Sequence, residues 1–104
     1  MNVDNLKKDF IAKYKSGGNE KFYRFLLVYA VQKLILLEKQ EFPVTPPNLE
    51  FLDYHDQFII LYRREGEEVY LEVAKVFRKV AHKIYRVMLK KNLTPRNDKF
   101  LNLI

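Results

Sequence analysis

The chain has 104 residues, 48% hydrophobic and 31% charged, with a formal net charge of +6 and no cysteine. That length holds one domain, 1–104, with one core, and that apolar content excludes a disordered chain. Without cysteine there are no disulfides and no thiolate chemistry, and no run approaches the ~20 apolar residues of a membrane span.

The charge is unevenly spread. Residues 1–37 hold seven Lys/Arg and three Asp/Glu, residues 38–72 hold three and nine, and residues 73–104 hold nine and one. An acidic middle could fold back on the basic last helix and neutralise it, or it could meet the basic helix of a second subunit. The first ten residues, MNVDNLKKDF, lack the apolar core of a signal peptide, so the expected location is cytoplasmic.

In chain order, residues 3–16 place Val3, Leu6, Phe10 and Tyr14 on one helical face, with Ile11 beside them. Asn2 or Asp4 can cap the start, and Ser16-Gly17-Gly18 stops the helix through a glycine in the left-handed region. Asn19 can then cap a second helix over 20–41. Its middle, FYRFLLVYAVQKLILL, is interrupted only by Arg24, Gln32 and Lys33. So little polar surface belongs at the centre of a bundle or in a subunit interface. Tyr23, Phe25 and Tyr29 admit a cofactor-binding reading, but aromatics are what small cores are built from.

Pro43 biases Phe42 away from helical angles and ends that helix. Thr45 followed by Pro46 resembles an N-cap with proline at the first helical position. Residues 47–64 then read two ways. As a helix, Phe51, Tyr54, Phe58 and Leu61 form one stripe, with Leu49, Leu52 and Ile59 beside it. As a hairpin, Phe58 to Arg64 would pair with Glu67 to Val73 around Glu65-Gly66, giving an α+β fold with a β-hairpin at about 57–73. The stretch LYRREGEEVYLEVA resembles a helix–Gly–helix junction found in helical-repeat and α/α-barrel proteins, matched at Leu61, Tyr62, Arg63, Gly66, Tyr70, Leu71 and Ala74. The resemblance implies two helices, with Gly66 ending the first and Ala74 allowing close approach. It carries no activity.

Residues 67–91 are the organising helix. Val69, Val73, Val76, Val80, Ile84 and Val87 form one apolar stripe, and Tyr70, Ala74, Phe77, Ala81, Ile84 and Met88 form another beside it. Acidic residues at its start and lysines at its end suit the helix dipole. Its polar strip carries like-charge pairs at i,i+4, Lys75–Lys79, Lys79–Lys83 and Arg86–Lys90, each costing about 0.2–0.5 kcal/mol in an isolated helix. Thr94-Pro95 can start a short terminal helix bearing Phe100, Leu101, Leu103 and Ile104.

The expected fold is all-α: an antiparallel bundle of four main helices plus a short C-terminal one. Two helices apolar over more than one face imply a homodimer or a stable protein partner.

Chemistry is sparse. Glu50, Asp53, His55 and Asp56 could bind a divalent metal, but no Glu-x-x-His of the di-iron type is present. The plainer reading is an exposed acidic face, and His82 reads as a solvated histidine. No phosphate loop, nucleophile motif or zinc spacing occurs, so no enzyme, no cofactor and no metal is expected. The leading expectation is a non-enzymatic protein–protein interaction module or homo-oligomer, with Val69, Tyr70, Val73, Phe77 and Val80 as candidate interface. The alternative is a nucleic-acid-binding protein that uses the basic face of the 67–91 helix. Lys75, Arg78, Lys79, Lys83, Arg86, Lys90 and Lys91 would then track the phosphates of a nucleic acid or meet an acidic partner.

Overall fold

Apolar residues spaced three or four apart bury themselves by forming helices and packing them together. In the computed structural model, which describes residues 3–39 and 45–93, α1 spans Val3–Lys39, α2 Pro47–Glu65 and α3 Glu68–Lys90. Among the described residues there is no strand.

The expectation of four main helices is thus overturned: among the described residues three helices make the fold. The glycine break expected at 16–18 is present as a kink at Gly18 that divides α1 into two helical arms. Only Gly18 leaves helical geometry, at φ 78° and ψ −178°, an extended positive-φ conformation essentially reserved for glycine. The bend folds the two arms of α1 toward each other, bringing the Phe10 ring to 6.3 Å from Phe22 and the Lys13 ammonium to 4.5 Å from the centre of the Phe25 ring. The short terminal helix expected after Thr94 lies outside the described residues.

The β-hairpin at 57–73 is also overturned. The chain stays helical to Glu65, Gly66 takes the left-handed conformation at φ 75°, and its N–H donates to the Tyr62 carbonyl at 2.7 Å. That closes α2 with a left-handed glycine cap, and α3 begins two residues later. The start of α2 falls one residue beyond expectation: Pro46 is the cap and Pro47 the first helical residue. The Pro46 carbonyl accepts from the N–H groups of Leu49 and Glu50, each at 3.1 Å.

α3 ends in a Schellman motif: Leu93 N–H donates to the Met88 carbonyl at 2.9 Å and Asn92 N–H to the Leu89 carbonyl at 3.2 Å. Asn92 supplies the left-handed residue, at φ 57°.

Consecutive helices run antiparallel, so α1 and α3 run the same way. Tyr14 on α1 meets Glu72 near the start of α3, and Glu38 meets Lys91 at its end. α3 is the common element: α2 packs extensively along it and α1 packs on its other flank, while α1 and α2 meet through fewer contacts, chiefly Tyr29 with Glu50 and Phe51 and Phe10 with Tyr54. Its two apolar stripes are explained by these two neighbours. At the centre sits Phe77, wholly buried. The rings of Phe10, Phe22, Phe51, Tyr54 and Phe58 surround it at centroid distances of 5.0 to 5.7 Å.

Candidate functional site

Packing α1 and α2 onto α3 leaves one arc of α3 facing out. At 3.6 residues per turn and 1.5 Å per residue, Lys75, Arg78, Lys79, Lys83, Arg86 and Lys90 occupy an arc of about 140° and a length of about 23 Å. All six are exposed. Val73, Phe77, Val80, Ile84 and Met88 fill the opposite side and are buried, which fixes the basic arc toward solvent. Lys91 lies just past the helix and bonds Glu38 at 3.0 Å, tying the ends of α3 and α1 together.

The acidic middle of the chain meets this strip only at its margins, at Arg78 and at Lys91. Among the described residues the ion pairs are Arg24–Glu20, His55–Asp56, Arg64–Glu65 and Lys91–Glu38. None uses a cation between Lys75 and Lys90. Arg78 lines a groove between α2 and α3 with Asp53, His55, Asp56 and His82.

On the α1 side the strip borders a second groove of about 540 Å³. Tyr23 projects from α1 into it, facing Lys79, Lys83, Arg86 and Lys90. The Lys79 ammonium stands 4.9 Å from the centre of the Tyr23 ring and that of Lys83 stands 6.0 Å away, both within cation–π range. No local sequence signal links Tyr23 to these lysines. The parallel run of α1 and α3 brings them together across more than fifty residues.

The acidic cluster is divided. Glu50 turns toward α1 and accepts the Tyr29 hydroxyl at 2.6 Å, while Asp53, His55 and Asp56 face the α2–α3 groove. His55 Nδ1 lies 2.9 Å from Asp56 Oδ1. Among the described residues no group of three or more His, Asp or Glu side chains is disposed to hold a metal ion, and the Arg78 guanidinium in the same groove would oppose one. Burial, and then the hydrogen bond to Glu50, hold the Tyr29 phenol well above its ordinary range. The hydrogen bond to Glu72, followed by burial, raises the Tyr14 phenol. Both hydroxyls therefore stay protonated and donate.

The candidate interface residues divide as well. Val73, Phe77 and Val80 have no exposed surface in the single chain and hold its core together. Val69 and Tyr70 are half-buried, with Tyr70 stacked on Phe58 at 6.3 Å. The exposed large apolar residues lie elsewhere: Val28, Val31 and Ile35 on α1, Ile60 on α2 and Leu89 on α3. A second basic groove of about 530 Å³, lined by Lys7, Lys8, Lys15 and Arg64 among others, lies between the first arm of α1 and the α2–α3 turn. No local pattern marks it, because Arg64 reaches it only through the tertiary fold. No helix is long and apolar enough to cross a membrane among the described residues.

No protein-family model matches the chain, and no curated protein or solved structure matches it.

Proposed function

We propose that this is a non-enzymatic binding protein that takes the phosphate backbone of a nucleic acid on the basic face of α3. One observation carries the reading: Lys75, Lys79, Lys83, Arg86 and Lys90 share an exposed arc, and none has a carboxylate ion-pair partner among the described residues. The like-charge pairs along that arc repel one another, and a row of phosphates relieves the repulsion. Contacts of this kind are independent of base sequence. A cytoplasmic location belongs to the same proposal.

The test is the salt dependence of binding to mixed-sequence DNA. Counterion release by these five cations gives log–log slopes of up to about −4.5 for a duplex and −3.5 for a single strand. Reversing Lys79 and Lys83 to Glu should abolish binding at moderate salt. A slope near zero, or affinity unmoved by the reversal, refutes the proposal.

A second reading, pairing with another copy of the chain, is favoured by Val28, Val31 and Ile35. They stand at i, i+3 and i+7 along the outer face of α1 and are exposed, and such a stripe is self-complementary about a two-fold axis. Light scattering tests it: a dimer that persists at high salt and is abolished by Val31→Glu supports it, and a monomer at all concentrations removes it.

A further inference from the structure

Resting on the phosphate-binding reading, we infer that the groove between α1 and α3 is built for single-stranded rather than duplex nucleic acid, with Tyr23 as the platform on which one base stacks. A surface that reads only duplex phosphates can use a tyrosine hydroxyl but leaves the ring face unused. Here Tyr23 is half-buried on α1, so its ring is held by the fold. It faces Lys79, Lys83, Arg86 and Lys90 across an open groove of about 540 Å³, a size within the range of clefts that accept small organic groups. A positively charged groove along an exposed aromatic is the arrangement that binds single strands, the cations following the backbone and the ring taking an unpaired base. In a duplex the base faces are stacked on one another and cannot reach the ring.

Lys79 and Lys83 stand over the ring in the free protein, and they do not block this use. An exposed cation–π contact is weaker than base–aromatic stacking, and lysine side chains are long and flexible. When a strand arrives, both ammonium groups move to the flanking phosphates and the ring face is freed.

The test compares oligonucleotides of one length and one salt concentration: a mixed-sequence single strand, the same strand with abasic sites in place of its bases, and the duplex. The wild-type chain should hold the single strand at least about fivefold more tightly than the abasic strand, which has the same phosphates but nothing to stack. Tyr23→Leu should remove that difference and leave duplex affinity within about twofold. Tyr23→Phe should retain it. Equal affinity of the wild-type chain for strand and abasic strand overturns the inference while leaving phosphate binding intact, and that comparison needs no variant to fold. A Tyr23→Leu loss equal for strand and duplex overturns it too. Failure of the Lys79→Glu, Lys83→Glu reversal to weaken either ligand instead refutes the underlying reading.

Discussion

Phe77 is the residue whose loss the fold can least absorb. It is wholly buried, and the rings of Phe10, Phe22, Phe51, Tyr54 and Phe58 come from α1 and α2 to meet it. Truncating a buried phenylalanine costs about 3–5 kcal/mol through lost transfer energy and the cavity left behind. Edge-to-face ring pairs add ~0.5–1.5 kcal/mol each beyond area, though not additively. Phe77→Ala therefore belongs at the upper end, about 4–5 kcal/mol. For a domain stabilised by ~5–15 kcal/mol this removes roughly a quarter or more of the total, and at ~4–8 °C per kcal/mol the midpoint falls by about 16–40 °C. The assay is urea unfolding followed by far-UV circular dichroism, at two protein concentrations about tenfold apart. Leu89→Ala, on the exposed side of the same helix, is the control and should change stability by under ~0.5 kcal/mol. A Phe77→Ala loss below about 2 kcal/mol would refute the central role of the ring. So would a loss that depends on protein concentration, as expected of a ring in a subunit interface.

The two positive-φ glycines should respond differently to substitution. An added Cβ would meet nothing within 4 Å at Gly18 or Gly66, so only the dihedral preference counts. Gly66 is left-handed, and Gly66→Asn should cost well under 1 kcal/mol because asparagine tolerates that region. Gly18→Asn should cost about 1–3 kcal/mol, because its conformation is nearly glycine-only. Equal midpoints in thermal unfolding would remove the distinction. High pH should weaken the fold through Tyr29, whose phenol is raised in the native state by burial and by Glu50. Below pH ~10 both folded and unfolded states hold the proton and its contribution is complete. As the pH rises past that value the unfolded phenol ionises first, the native state binds more protons, and stability falls until the native phenol ionises too. Urea unfolding of wild type and Tyr29→Phe at pH 8 and above 10 checks this: the variant should lose less stability with pH, and identical losses would count against the Tyr29–Glu50 bond.

The parts of the fold that follow from local chemistry were legible in the sequence. The period of α3, with Ala74 buried on its apolar side, and the glycine that ends α2 depend on neighbours a turn or two away. The break at Gly18 was legible too, but not the close return of the two arms of α1, whose Phe10 and Phe22 converge on Phe77. A stretch apolar over nearly its whole circumference, such as Phe22–Leu37, does not say which side meets its own chain. That is why Val73, Phe77 and Val80 read equally well as interface and as core, and why Val28, Val31 and Ile35 did not stand out. The basic strip was visible as a strip. Tyr23 was not visible as part of it, since its place depends on the parallel alignment of α1 with α3.

The charge separation along α3 follows from the same packing. Its apolar side is wide because two helices lean on it, so the polar residues are confined to a narrow arc and ordered along its length. Glu67 and Glu68 sit at the Gly66 turn, while Lys79, Lys83, Arg86 and Lys90 lie further along. Glu68 and Lys83 are fifteen residues apart on one helix, about 22 Å along its axis. That exceeds the Debye length of about 8 Å at physiological ionic strength, so the acidic end cannot neutralise the basic end through solvent. An approaching polyanion therefore meets attraction along the second half of α3. It is drawn toward Tyr23 and the C-terminal half of the helix, while Lys7, Lys8, Lys15 and Arg64 form a separate basic groove beside the α2–α3 turn.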